Sequence, residues 1–165
     1  MHRSDIKRCF DALNGQEMAD RWSGQRGDYD LNPGMQPQAT LTPAAVLVHL
    51  VDRPSGLTGL LTQRTAHLND HAGLISFPGG RVEPDDPSHQ AAALREAEEE
   101  VGLPPSHVDV IGTLDYYIVR SGYRVTPVVG FVNTPFEVKP DPFEVAEVFE
   151  VPLSFVINTD NHVME

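Results

Sequence analysis

A glycine pair, an alanine-rich stretch and a run of acids follow one another between Gly79 and Leu103, as GGRVEPDDPSHQAAALREAEEEVGL. The stretch from Ala91 to Leu94 has high helix propensity, and Ser88 before it is a suitable N-cap. Gly102 is a suitable C′ residue, and the two prolines that follow prevent the helix from continuing. The segment therefore predicts a short helix that is held at both ends and entered from a glycine turn.

The last two turns of this helix carry acids at a spacing that is costly without a nearby cation. Glu96, Glu99 and Glu100 are spaced i, i+3, i+4, so they lie on one face of the helix. Like charges at this spacing destabilise a helix by roughly 0.2–0.5 kcal/mol per pair, and the negative end of the helix dipole adds to the cost. Oxygen ligands of this kind are what Mg²⁺ and Mn²⁺ prefer, so we predict a site for Mg²⁺ or Mn²⁺. The alternative is a solvated acidic face, which is our interpretation of Glu98.

The same residues resemble the signature of the Nudix hydrolases, which ends in Arg-Glu-aliphatic-x-Glu-Glu-x-Gly-aliphatic. Residues 95–103 match this half, with Ala97 in the aliphatic position. The first half departs from the pattern, because fourteen residues separate Gly80 from Arg95, one more than in the signature. Its acidic position is therefore shared among three candidates, Glu83, Asp85 and Asp86.

A second motif lies directly upstream and resembles that of the coenzyme A pyrophosphatase subfamily. It runs from Leu60 through Arg64 and Gly73 to the Phe-Pro-Gly-Gly sequence that ends at Gly80. Thr65 replaces the usual Ser or Ala. Asn69 replaces the usual Arg, which removes a cation suited to a phosphate.

Strand patterns surround the acidic helix and indicate an α/β domain. The resemblance implies the Nudix-like α/β/α sandwich, with a mixed sheet and a catalytic loop-helix-loop. We assign residues 1–39 to an N-terminal helix and irregular arm, and residues 40–165 to the Nudix domain. Subfamily members usually continue beyond such a C-terminal segment with a strand and a closing helix, so we expect that the sequence is truncated here or that this layer is missing. The predicted elements are helices at 4–13 and 153–156, an irregular segment at 15–38, strands at 44–51, 57–64 and 144–151, and a long antiparallel pair at 108–119 and 123–132.

The chemistry of diphosphate hydrolysis requires neutralised charge and a positioned water. We therefore assign Glu96, Glu99 and Glu100 as metal ligands, one of them serving instead as the base that deprotonates water. By the resemblance, the backbone carbonyl of Gly79 is a further ligand. Arg95 is expected to pair with one of these glutamates and orient it.

A later acid often completes such sites, and we predict Glu144 for this role, with Glu147 as its rival. Arg64 lies in the upstream motif and can bind a phosphate through two parallel hydrogen bonds. His67 and His71 are further substrate-binding candidates, although a single histidine is more often a structural hydrogen-bonding group.

Composition limits the partners of this chain. Its 165 residues suit one domain, and a net charge of −12 argues against nucleic acid. One cysteine rules out an internal disulfide and fits a reducing cytoplasm. No apolar run approaches membrane-spanning length, so we expect no membrane partner. The resemblance suggests a homodimer.

These observations favour metal-dependent hydrolysis of the diphosphate of coenzyme A or its derivatives, giving 4′-phosphopantetheine and adenosine 3′,5′-bisphosphate. One alternative is a Nudix hydrolase of another nucleoside diphosphate derivative, such as ADP-ribose, NADH or an oxidised nucleotide. A second alternative is a non-catalytic Nudix domain that binds a nucleotide, although the repulsive acidic cluster would then serve no purpose.

Overall fold

The computed structural model describes residues 2–14, 26–32, 34–36, 38–67 and 73–162. No helix in these ranges is long and apolar enough to cross a membrane. In chain order, the helices and strands are α1 (Arg3–Asn14), β1 (Arg26–Gly27), α2 (Asp28–Leu31), β2 (Thr42–Arg53), β3 (Gly56–Arg64), β4 (Ile75–Ser76), β5 (Gly79–Arg81), α3 (His89–Val101), β6 (Val108–Thr113), β7 (Tyr117–Val119), β8 (Tyr123–Val132), β9 (Val145–Pro152) and α4 (Leu153–Val156).

The strands form one mixed sheet around β2 and β8, which pair in parallel along ten residues. From Ala44 to Val51, β2 is apolar except for His49 and mostly buried, as expected for a strand covered on both faces. Its other edge is shared by two antiparallel partners, because β3 pairs with its second half and β5 with its first half. β9 and β4 extend the sheet beyond β3, and β6, β7 and β1 extend it beyond β8.

Helices cover both faces of the sheet. On one face, α3 packs through alanines (Ala92, Ala93 and Ala97) against Ala45 and Leu47 of β2. These small side chains allow the helix to lie close to the strands. On the other face, Phe10 of α1 is 7% exposed and packs in a cluster with Leu50, Leu57, Val129 and Phe131. The predicted α/β/α sandwich with a mixed sheet is confirmed.

The predicted long strand at 108–119 is wrong, because the chain forms two strands, β6 and β7, along β8. The register shifts between Val110 and Gly112, where Gly112 adopts φ +155°. Pro127 of β8 lies opposite the break and has no N–H for a ladder hydrogen bond. Its carbonyl accepts instead from the backbone N–H of Leu114 at 2.9 Å.

The prediction of an irregular segment at 15–38 is partly wrong. Residues 15–25, 33 and 37 lie outside the described ranges. Arg26 and Gly27 pair in parallel with Tyr117 and Ile118, and one turn of helix follows. A Cβ on Gly27 would lie 2.6 Å from the carbonyl oxygen of Ile118. A two-residue strand has no periodic pattern, so sequence reasoning had no signal for it.

Candidate active site

The predicted glycine turn is wrong, because Gly79 and Gly80 pair with β2 as the first two residues of strand β5. The pair is held tightly between β2 and α3. A Cβ on Gly79 would collide with the carbonyl oxygen of Ala45, and a Cβ on Gly80 would lie 2.5 Å from the Glu96 carboxylate. Gly80 faces Ala45 in the ladder, whereas the N–H of Gly79 points away from β2 and donates to Oε2 of Glu100 at 3.2 Å. Since N–H and C=O of one residue in an antiparallel strand point to the same edge, the carbonyl of Gly79 also points away from β2.

Both ends of α3 have the predicted caps. The Ser88 side chain accepts from the N–H of Ala91 at 3.1 Å. Gly102 adopts the left-handed conformation, with φ +69°. These caps fix where α3 begins and ends, and thus fix the position of its glutamates relative to β5.

Arg95 connects β5, the loop that follows it and α3. Its Nε and Nη2 donate to the two carboxylate oxygens of Asp86 at 3.1 and 2.9 Å. Its Nη1 lies 2.9 Å from Glu96 and 3.1 Å from Glu99, and Nη2 also donates to the carbonyl of Arg81. The hydrogen bonds that Arg95 donates hold the pKa of Asp86 below its usual value. The same bonds, those to Asp86 first and that to Glu96 next, raise the pKa of Arg95. Among the three acids left open by the signature, Asp86 is the one in contact with Arg95.

Glu100 is a buried carboxyl group, with 6% of the residue exposed. Burial raises its pKa to about 7, and the nearby charges of Glu96 and Glu144 act in the same direction. The N–H of Gly79 and the guanidinium of Arg64 oppose this rise without cancelling it. Burial also raises the pKa of Glu96, against the influence of Arg95. The acidic cluster formed by Glu96, Glu99, Glu100 and Glu144 thus holds four carboxyl groups beside two cations, Arg64 and Arg95.

The end of β3 and the beginning of β9 complete one side of this cluster. Nη1 of Arg64 lies 3.8 Å from Oε1 of Glu100 and 3.9 Å from Oε2 of Glu144. Next to it, the backbone N–H of Thr65 donates to the carbonyl of Glu144 at 2.9 Å. Glu147 lies further along β9, opposite Gln63, and is exposed. The structure thus brings Glu144, and not its rival Glu147, to the acidic cluster.

Of the two histidine candidates, the structure describes His67. His67 is exposed, and its ring packs edge-on against Phe143 with centroids 4.8 Å apart. His71 lies outside the described residues, as does Asn69. Glu98 is exposed, as expected for a solvated acid.

The donor chemistry of the cluster fits a hard divalent cation. In the described residues, no three His, Cys, Asp or Glu side chains form a ready metal cage. Arg95 pairs with two of the predicted ligands, Glu96 and Glu99. The available donors are nevertheless carboxylate oxygens and the outward carbonyl of Gly79, the set that Mg²⁺ and Mn²⁺ prefer. The gathering of four carboxyl groups beside only two guanidinium groups is the observation that favours a cation here.

Comparison with solved structures shows related folds. The crystal structure of the Nudix hydrolase RenU from M. smegmatis has a TM-score of 0.60 and 26% identity, covering 72% of this chain and 75% of that one. The Nudix domain of Shewanella oneidensis NrtR, crystallised with ADP ribose, has a TM-score of 0.53 and 23% identity, covering 79% and 84%. The second likeness concerns the fold alone.

Comparison with curated proteins shows closer relatives, each named as an uncharacterized Nudix hydrolase, NudL. The protein from Shigella flexneri serotype 5b is 50% identical over 126 residues, covering 73% of this chain and 65% of the relative. The protein from Escherichia coli K12 is 54% identical over 112 residues, covering 67% and 57%. The chain thus matches less than two thirds of the length of these relatives. The family model for the NUDIX domain matches residues 41–160, and the chain therefore belongs to the NUDIX domain family.

Proposed function

We propose that this chain is a Mg²⁺- or Mn²⁺-dependent Nudix diphosphatase that hydrolyses coenzyme A or its derivatives. The observation that carries the proposal is the position of Arg64. This arginine belongs to the Leu60–Gly80 motif and lies within 4 Å of both Glu100 and Glu144. The motif that resembles the coenzyme A pyrophosphatases is therefore part of the wall of the acidic cluster.

The roles of the residues follow from their positions. Glu96, Glu99, Glu100 and the carbonyl of Gly79 would hold the cation, which would neutralise the diphosphate and lower the pKa of the attacking water. Glu144 adds negative charge beside Glu100. One of the three helix glutamates accepts the proton of the water as its oxygen attacks phosphorus and the bridging P–O bond breaks.

Arg95 and Arg64 have different tasks in this scheme. Arg95 is held by Asp86 on one side and by Glu96 and Glu99 on the other, so it orients carboxylates and does not reach for substrate. Arg64 is loosely placed, at 3.8 Å or more from its acids, and is free to turn a planar guanidinium toward a phosphate. His67 and His71 remain predicted substrate contacts.

The experiment is hydrolysis of coenzyme A by the purified chain with Mg²⁺ or Mn²⁺, with products identified by mass spectrometry. The variants Glu99→Gln and Glu98→Gln remove one charge each at neighbouring positions of α3. We expect adenosine 3′,5′-bisphosphate from the wild type and from Glu98→Gln, and at least a tenfold lower rate from Glu99→Gln. Equal rates for both variants would contradict the assignment of the acidic face.

Two other functions are outcomes of the same assay. Turnover of ADP-ribose or NADH, but not of coenzyme A, would support the diphosphatase reaction and refute coenzyme A as the substrate. Asn69, which replaces the usual Arg, is the sequence feature that favours this alternative. Binding without turnover of any substrate would favour a nucleotide-binding domain.

A cytoplasmic location and a homodimer stay predictions from composition and resemblance. Size-exclusion chromatography with light scattering tests the oligomeric state.

A further inference from the structure

Most of the Lys and Arg side chains that the structure describes have an acidic partner. Three exposed arginines, Arg81, Arg120 and Arg124, have no carboxylate within ion-pair distance in the described ranges. Ion pairs with Asp or Glu are formed, among others, by Arg3, Lys7, Arg8, Arg53, Arg64, Arg95 and Lys139. An unpaired guanidinium in a chain of net charge −12 is a place where an anion can bind.

Arg81 differs from the other two because it is both oriented and next to the acidic cluster. Its Nε and Nη2 donate to the hydroxyl of Tyr123 at 3.0 and 2.7 Å, and its guanidinium lies 5.5 Å from the centre of that ring. Its backbone carbonyl accepts from Arg95, which pairs with Glu96. The backbone of Arg81 thus contacts the arginine that pairs with Glu96, and its guanidinium is held in place by Tyr123.

The direction of this side chain follows from the ladder. Arg81 lies opposite Ala44 and Tyr123 lies beside Thr42, so the Arg81–Tyr123 contact spans the first residues of β2. Gly80 faces α3 and Glu96, and successive residues of a strand face opposite sides of the sheet. The side chain of Arg81 therefore lies on the opposite side of β5 from the Glu96 carboxylate, so a substrate that contacts both must extend around the edge of this three-residue strand.

The hydrogen bonds of Arg81 leave capacity for a ligand. A guanidinium has about five N–H donors, and Tyr123 accepts from Nε and Nη2. The remaining N–H groups form a planar fork, which matches two oxygens of a phosphate. A carboxylate partner, which would block such a fork, is absent in the described residues.

We propose that Arg81, held in place by Tyr123, binds a phosphate monoester that the substrate carries in addition to its diphosphate. This inference rests on the proposed function, in which the ribose 3′-phosphate of coenzyme A is that group. Arg81 is then a specificity-determining residue, and Tyr123 is a positioning residue.

The test compares adenosine 3′,5′-bisphosphate with AMP, which lacks the 3′-phosphate, as ligands in isothermal titration calorimetry. The proteins are the wild type, Arg81→Gln, Arg81→Lys and Arg124→Gln. Arg124 is a matched control, because it is exposed, lies 5.5 Å from the centre of the Tyr116 ring and loses the same charge. Melting temperatures show whether each variant is folded.

We expect the wild type and Arg124→Gln to bind the bisphosphate about ten- to a hundredfold more tightly than AMP. Arg81→Gln should lose that preference and keep its affinity for AMP, and Arg81→Lys should keep part of it. Equal affinity of the wild type for both ligands, or equal losses in Arg81→Gln and Arg124→Gln, would overturn the inference.

Hydrolysis of coenzyme A and 3′-dephospho-coenzyme A separates this inference from the proposed function. Turnover of both substrates with equal kcat/KM would support the function and overturn the role of Arg81. Tight, Arg81-dependent binding of the bisphosphate without turnover of coenzyme A would refute the function and support the phosphate site.

Discussion

Replacing Glu100 by glutamine should make the metal-free protein more stable at alkaline pH. The carboxyl group is 6% exposed, and burial raises its pKa from 4.5 to about 7. The folded state therefore binds this proton more tightly than the unfolded state does. Above pH 4.5 the free energy of unfolding falls as pH rises, and the full loss is reached above pH 7.

The size of the effect follows from the same two values. At about 1.4 kcal/mol per pH unit, a rise from 4.5 to about 7 corresponds to a loss of about 3 kcal/mol. Glutamine carries no charge at any pH and can still accept the hydrogen bond from Gly79. Glu100→Gln should thus match the wild type at low pH and exceed it by about 3 kcal/mol at high pH.

The assay is urea denaturation with EDTA at about pH 5 and about pH 8.5. Glu98→Gln is the control, because Glu98 is an exposed neighbour on the same helix and its loss should change stability by less than about 0.5 kcal/mol. Parallel pH dependences of the wild type and Glu100→Gln would refute the reasoning. Added Mg²⁺ or Mn²⁺ should stabilise the wild type at high pH and have a smaller effect on Glu100→Gln.

Three further substitutions test the glycine pair of β5, the N-terminal helix and the core. Gly80→Ala places a Cβ 2.5 Å from the Glu96 carboxylate and should lower the rate of hydrolysis at least tenfold. In the control Gly59→Ala, the Cβ meets its nearest atom at 3.6 Å and the rate should not change; equal rates in the two variants would contradict the close packing at Gly80. Phe10→Ala should cost about 3–5 kcal/mol in urea denaturation, since Phe10 is 7% exposed, and a loss below about 1 kcal/mol would exclude α1 from the core. Burial lowers the pKa of His49 from 6.5 to about 4, so the free energy of unfolding decreases as pH falls through that range. In thermal melts, His49→Leu should therefore be less sensitive to acid than the wild type, and equal sensitivity would argue against burial of a neutral imidazole.

The acidic helix was predictable because its determinants are local. Ser88, the alanines and Gly102 act within four residues of the positions they stabilise, and the helix begins and ends where they predict. The three-layer arrangement was predictable from the family resemblance. The spacing of Glu96, Glu99 and Glu100 followed from helical geometry alone.

The split between β6 and β7 was not predictable from the pattern of 108–119. Both halves have strand-like composition, and the break depends on where Pro127 falls on the neighbouring strand. The register between two strands depends on the hydrophobic patterns of both and on the turn that joins them, so the pattern of one strand alone does not fix it.

Sequence alone determined that this chain has a capped acidic helix and an arginine motif, since each depends on residues close together in the chain. The tertiary structure decided which of these residues meet. It placed Asp86 rather than Glu83 or Asp85 on Arg95, and it placed Arg64 between Glu100 and Glu144. It also buried Glu100, and burial is what raises the pKa of this carboxyl group. Burial and contacts between distant residues arise only when the sheet and α3 pack together, so no local pattern in the sequence specifies them.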